Sequence, residues 1–444
     1  MTTRIMSWWE DLRSTYWALP GGMTVLAAIM ALALVEVDSH RSRDLADQAP
    51  WIYTGGADGA RAILSAIAAS TITVAGTTFS ITIAALTLAS SQFGPRLLRN
   101  FMRDTGNQIV LGTFIGTFLY CILVLRRVQS VEEVAFVPYI SVTVAILLAI
   151  ANIAVLIYFI DHAAASIQAS HVIASASNEL EHAIDRLFPE KLGTGNGLEE
   201  ALPAAELQAL TSATAPGRVP APGSGYIRAI DNGGLMEAAR GSSVVVRLDV
   251  KPGDFVFKDQ TIAFAWPGDH ISEESLRQIG HTFILGIQRT EEQDARFPID
   301  QLVEVAVRAL SPGINDPFTA MSCIDRLGQA LHRLANRDFP SVYRRDHDGT
   351  IRVIAVPRTF EDFLDSACNQ IRQYGASSVA VTIHLLDMLE KIGRSTSRTG
   401  VHEALVRQAR LVRNGIEARA QADIDDVQRA LDGVLEACGQ PLDD

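Results

Sequence analysis

Hydroxyl-bearing residues recur along one stretch of this chain at intervals that a helix would turn to a single side. Ser70, Thr73, Thr77, Ser80, Thr87 and Ser91, with Ala84 completing the series, alternate in steps of three and four, so in a helix they form one stripe. Leu64, Ile67, Ile72, Phe79, Ile83 and Leu86 fall largely off it. Two kinds of chemistry fit. Small side chains let helices approach closely while each hydroxyl bonds back to its own backbone. Alternatively, symmetry-related copies turn the stripe inward to line a hydrated pore, where hydroxyls replace part of an ion's water. Directly after it, Arg96, Arg99 and Arg103 share a helical face beside Leu97, Leu98, Phe101 and Met102. That pattern suits a short interfacial helix anchored to lipid phosphates; in an oligomer the same arginines would ring a pore mouth and favour anions.

A second concentration of polar groups lies far downstream. Arg289, Glu292 and Asp294 fall in one charged run, and Arg308, Asn315 and Asp316 surround the string Ser311-Pro312-Gly313-Ile314-Asn315-Asp316-Pro317. A mechanical account serves the string: Pro312-Gly313 ends one helix, Asn315 or Asp316 caps the next, and Pro317 fits its first turn. The functional account has all six residues converging on a polar pocket for a charged ligand. No phosphate-cradling Gly-x-x-x-x-Gly-Lys, no Gly-x-Ser-x-Gly and no paired His on a helix appears, and the ten histidines are scattered. No catalytic or metal-binding residue is assigned, no cofactor is expected, and an enzyme is the weaker class.

The elements that must position these residues begin with membrane spans. Hydrophobic residues make up 48% of the 444 and charged ones only 20%, too apolar for an ordinary soluble enzyme. Charge-free runs cover 18–35, 62–95, 105–125 and 134–160, each near or above the roughly 20 residues that a helix needs to cross a bilayer. The second run is too long for the hydrocarbon and must tilt, break or continue beyond it. Gly112 and Gly116 give the third run a small-xxx-small face, and Asn152 is the one strongly polar side chain of the fourth, suited to an interhelical hydrogen bond. Glu36, Asp38, Asp161 and His162 sit only at the ends, so no carboxylate relay of a proton-driven pump is visible.

The fold class expected is an α-helical membrane domain with four transmembrane helices plus a mixed α+β cytoplasmic domain containing a small barrel-sandwich-like β module. The parts are a membrane domain over 1–162, a helix continuing into the cytosol over 163–188 and a Gly/Pro/Ala-rich linker over 189–224. A small β module over 225–290 and a mainly helical domain over 291–444 complete the chain. Around Pro252-Gly253-Asp254 and Gln260-Thr261-Ile262 the chain resembles the modules of biotinyl and lipoyl carriers, without a modifiable Lys at Asp231-Asn232-Gly233-Gly234.

Loop arginines divide equally between the two sides, Arg4, Arg13, Arg96, Arg99 and Arg103 against Arg41, Arg43, Arg61, Arg126 and Arg127. Cys323, Cys368 and Cys438 show no disulfide or zinc spacing and fit a reducing compartment. They lie in the acidic second part, whose translocation no signal directs, so both termini are expected in the cytoplasm. Net charge is −12 and no basic stripe accompanies it, which argues against nucleic acid. The partners expected are the lipid bilayer, further copies of the chain, and a small charged ligand or ion.

Three segments together, 77–103, 289–294 and 311–317, resemble a family of predicted bacterial membrane proteins carrying a domain of unknown function. The resemblance extends over most of the chain, with Ser-Pro-Gly-Ile-Asn-Asp-Pro its most specific piece. It implies four spans, a C-terminal soluble domain and a bacterial inner membrane, and no mechanism. Two functions remain: an oligomeric ion channel or passive conduit lined by the second span and regulated by the cytoplasmic domain, or a membrane-anchored ligand-binding or sensory module.

Overall fold

The computed structural model describes residues 17–46, 52–93, 104–129, 136–166, 168–188, 215–356, 358–417 and 420–441. Contacts divide the chain into two compact units, Met1–Val172 and Ile173–Asp444. In the first, the apolar runs form α1 (Ala18–Ala46), α2 (Ala57–Phe93), α3 (Thr105–Leu125) and α4 (Tyr139–Ser166). All four contain stretches long and apolar enough to cross a membrane. The second run neither breaks nor ends early: α2 is one helix of 37 residues, about 55 Å at 1.5 Å per residue.

Small residues set the packing. Ala27 and Ala31 of α1, Ala60 and Ala68 of α2, Cys121 of α3 and Ala145 of α4 share one core with Leu64, Tyr120 and Val142. The most extensive helix contact joins α1 to α3. There a Cβ on Gly112 would lie 2.6 Å from Met23 Sδ and 3.1 Å from Pro20 Cα, and one on Gly116 3.3 Å from Ala27 Cβ. The glycine face thus works by close approach. Asp38, 1% exposed, accepts from the Ile140 and Ser141 amides at 3.0 and 2.9 Å and from Ser141 Oγ at 2.6 Å. A carboxylate about two turns before the end of α1 therefore caps α4, where free amides and the helix dipole favour negative charge.

Residues 161–188 do not form the single helix that their freedom from Pro and Gly predicts. α4 ends at Ser166 and α5 (Ala169–Leu187) starts afresh on the Gln168 carbonyl, which accepts from His171 and Val172. In the second unit the strands are β1 (Gly217–Pro220), β2 (Gly225–Ile230), β3 (Val245–Leu248), β4 (Phe255–Val256), β5 (Thr261–Trp266), β6 (Phe283–Gly286), β7 (Tyr343–Arg345) and β8 (Ile351–Ile354). Two short helices, α6 (Asn232–Gly241) and α7 (Glu273–Gly280), lie between them in sequence. The strands make two open sheets, ordered β1-β5-β3-β8-β7 and β4-β2-β6, with no closed barrel among the described residues. Ile227, Leu235, Val246, Ile262, Ala263 and Ile279 fill the core.

The β module reaches past 225–290 on both sides. β1 falls within the stretch read as linker, and β8, from the part read as mainly helical, pairs in parallel with β3 through Val246 and Val353. The remaining helices are α8 (Arg296–Ala309), α9 (Pro317–Ala335), α10 (Phe360–Tyr374), α11 (Val379–Arg394), α12 (Thr399–Asn414) and α13 (Gln421–Ala437). Within this unit Arg337, 5% exposed, closes the C-terminus of α5. It donates to the Ile184 and Phe188 carbonyls at 3.2 and 2.5 Å and to Asp185 Oδ1 at 2.6 Å, supplying donors that the last turn lacks.

Candidate functional site

The hydroxyl stripe lies on the outside of the bundle. Ser70, Thr73, Thr77, Ser80, Ala84 and Thr87 are all exposed, whereas Leu64, Ala68, Thr71, Ala75, Thr82 and Leu86 are buried. At 100° per residue the two series stand on nearly opposite sides of α2. Ser70, Thr73, Ser80 and Thr87 donate to the carbonyls of Ile67, Ala69, Gly76 and Ile83, at 3.1, 2.7, 2.8 and 2.8 Å. Each is satisfied within its own helix. The side chain of Ser91, and Arg96, Arg99 and Arg103 entirely, lie outside the described residues. Asn152 is 5% exposed, and neither amide atom has a hydrogen-bond partner among the described residues, so the interhelical bond expected of it is not seen among them.

Of the six downstream polar residues the structure joins two most tightly. Arg289 donates to Asp294 Oδ2 through Nε at 3.0 Å and Nη2 at 2.6 Å, and through Nη1 to Asp300 Oδ2 at 2.6 Å. Glu292 instead faces Arg228 at 3.7 Å, and Arg308 pairs with Glu304 at 3.2 Å. Asn315 adopts the left-handed conformation at φ +51°, which Asn tolerates better than most residues. Asp316 is the cap, accepting from the Thr319 amide and hydroxyl at 3.1 and 2.6 Å, with Pro317 opening α9. The mechanical account of that string describes what these residues do.

Around Arg289 and Asp294 the fold adds residues that the sequence did not single out. Asp294 is 1% exposed, and its other oxygen meets Arg358 at 3.3 Å. Arg358 also donates to the Pro252 carbonyl at 2.6 Å. The turn carrying Pro252 is pinned to β2, Gly253 N donating to the Ile227 carbonyl at 2.8 Å and Ile227 N to that of Asp254 at 2.9 Å. Gly253 has φ +96°, and a Cβ there would fall 2.2 Å from Asp294 Oδ2, so both backbone and space require glycine. Lys251, Asp254, Arg289, Asp294, Arg296 and Arg358 with the turn enclose a cavity of about 290 Å³.

The two half-buried guanidinium groups shift in opposite directions. Burial opposes the charge of Arg289, but Asp294 and Asp300 outweigh it and raise its pKa. Burial also leads for Arg358, where the attraction of Asp294 and Asp254 is countered by Arg296 and Arg289, and the pKa falls below the ordinary arginine value. The lining as a whole carries four cationic side chains against the carboxylates of Asp254 and Asp294.

The model of the family described as "Predicted membrane protein (DUF2254)" matches residues 13–391. The chain belongs to this family. The match takes in α2 with its stripe, the whole charged cavity and the Ser-Pro-Gly-Ile-Asn-Asp-Pro string of this DUF2254 chain. An uncharacterised protein of Mycobacterium bovis and one of Mycobacterium tuberculosis are each 33% identical to it over 430 residues, 95% of this chain and 79% of theirs. No solved structure matches it. Lys251 and Arg358 escaped the sequence reading because they are brought to Asp294 by folding, with no shared spacing, whereas Arg296, two residues after Asp294, lies just past the charged run that was singled out; of the distant part only the turn at Pro252-Gly253 was visible.

Proposed function

We propose that this DUF2254 protein is a homo-oligomeric ion channel or passive conduit of a bacterial inner membrane, lined by α2 and regulated by its C-terminal domain, with both termini cytoplasmic. The position of the hydroxyl stripe supports the reading. A stripe serving close packing within one subunit would sit among Leu64, Ala68 and Ala75, whereas this one faces away from the helices that α2 packs against. Copies arranged about an axis would bring the stripes together around a wet path. The lack of charge within the apolar runs favours passive passage over driven transport. The partners in this reading are lipid, further copies and a small charged ligand or ion; nucleic acid, a cofactor and catalysis have no part in it.

Mass measurement of the detergent-purified protein and ion flux in liposomes test the proposal. Single cysteines at Thr73, Thr77, Ser80 and Thr87, with Cys121 replaced, should react with a small polar thiol reagent in intact membranes. Cysteines at Ile72, Phe79 and Ile83 should not, because a thiol in lipid or packed helices stays protonated. Thr77→Val should lower conductance and leave folding intact. Equal reactivity on both faces, or on neither, rules out the conduit and leaves a membrane-anchored binding or sensory module, the reading that the charged cavity favours.

A further inference from the structure

We propose that the cavity beneath the Lys251-Pro252-Gly253-Asp254 turn binds a small, soluble, phosphate-bearing anion. Four cationic side chains, Lys251, Arg289, Arg296 and Arg358, line it with only two carboxylates, Asp254 and Asp294. Arg289 is committed to Asp294 and Asp300, and Asp294 is shared with Arg358. Among the described residues the side chains of Lys251 and Arg296 form no ion pair. Arg296 Nε and Arg358 Nη1 are buried donors with no acceptor among the described residues. Buried donors of this kind cost stability unless a partner arrives, and an anion is the partner that all four cations share.

The shape of the site narrows the chemistry. About 290 Å³ exceeds a halide and lies at the lower end of small-molecule sites. Charged groups and turn backbone make up nearly all of the lining, with Phe255 the one aromatic, and the arginine already stacked on a ring is Arg289 on Phe297, 5.5 Å away. A ligand that relies on an apolar body has little to bury against. A compact oxyanion carrying two or more charges, as in a phosphate ester or pyrophosphate, matches a fork-shaped guanidinium and a point-charge ammonium. The site is pre-built: Gly253 lies against Asp294 with no room for a Cβ, so the turn and the ion-pair cluster are fixed together.

The test is calorimetric titration of the full-length protein, in maltoside micelles free of phospholipid, with inorganic pyrophosphate and separately with inorganic phosphate. It reads binding and not flux, so it stands whether or not the protein conducts. Saturable binding that weakens with added salt is expected. Lys251→Ala and Arg296→Ala, which break no ion pair, should each weaken it about tenfold, roughly 1.4 kcal/mol, and the double variant should abolish it with the melting temperature of the unliganded protein unchanged. Arg277→Ala, lining a separate and larger cavity with Arg218 and His281, should bind as the wild type does. Absence of binding by either anion, retention in the double variant, or loss in Arg277→Ala overturns the assignment. So does a defect confined to nanodiscs containing phosphatidic acid, which would make a lipid headgroup the source of the phosphate.

Discussion

Asp316 owes its role to one neighbour. The hydrogen bond from the Thr319 hydroxyl, ahead of the opposing effect of burial and helped by the Thr319 and Phe318 amides, holds its carboxyl below the usual range. A carboxylate whose folded pKa is lowered adds stability that is complete above the unfolded value of about 3.9 and is lost as pH falls through the folded value. Asp316→Ala should cost about 1–2 kcal/mol at pH 7, measured by denaturant unfolding, and the gap to the wild type should close below about pH 4. A gap unchanged at pH 2 would mean that the turn holds α9 by shape and not by charge. Pro317 opening the next helix made a cap legible in the sequence, with Asn315 and Asp316 both open as the capping residue. The Asp294 cluster was legible only in its local half, because Arg358 and the 251–254 turn meet it through the sheet.

Gly112 and Gly116 show the same contrast between helices. Their spacing announced a tight crossing but not its partner, which is the Pro20–Ala27 side of α1. A methyl at Gly116 would meet Ala27 Cβ at 3.3 Å, a contact that neighbours can absorb, whereas a full side chain cannot fit. Gly116→Leu should therefore destabilise the bundle by about 1–3 kcal/mol in detergent unfolding, and Ala27→Gly in the same chain should restore part of the loss. Failure of the second change to help would place the strain elsewhere. Helices with strong apolar periodicity, such as α10 over Phe360–Tyr374, fall in the part read as mainly helical. The break between Ser166 and Ala169 has no Pro or Gly to mark it, and the parallel pairing of β3 with β8 joins strands about a hundred residues apart, beyond any local pattern.

Across the whole chain, thiol chemistry and charge favour the experiments proposed. All four cysteines are buried, and burial pushes Cys323 and Cys368 up to about 12 and raises Cys438 as well, so a cysteine placed on the α2 stripe is read against little background. A net charge of −12 repels anions at long range, which makes the local excess of cations around Lys251 and Arg296 the feature that any phosphate ligand must find. The packing of α1 against α3 also has a consequence in time. Made before α3, α1 finds its main partner only after α2 and the chain up to Thr105 have followed, roughly sixty residues later, or about 3–12 s at the usual pace of synthesis. Until then α1 is held by lipid alone, with the small-residue face meant for Gly112 and Gly116 uncovered and Asp38 without the amides that it will cap. A chain cut after Phe93 should be cleared rapidly by membrane proteases in pulse-chase labelling, and co-expression of residues 94–444 as a separate polypeptide should slow its loss. Equal lifetimes with and without the second piece would mean that the first two helices are an independent unit of assembly.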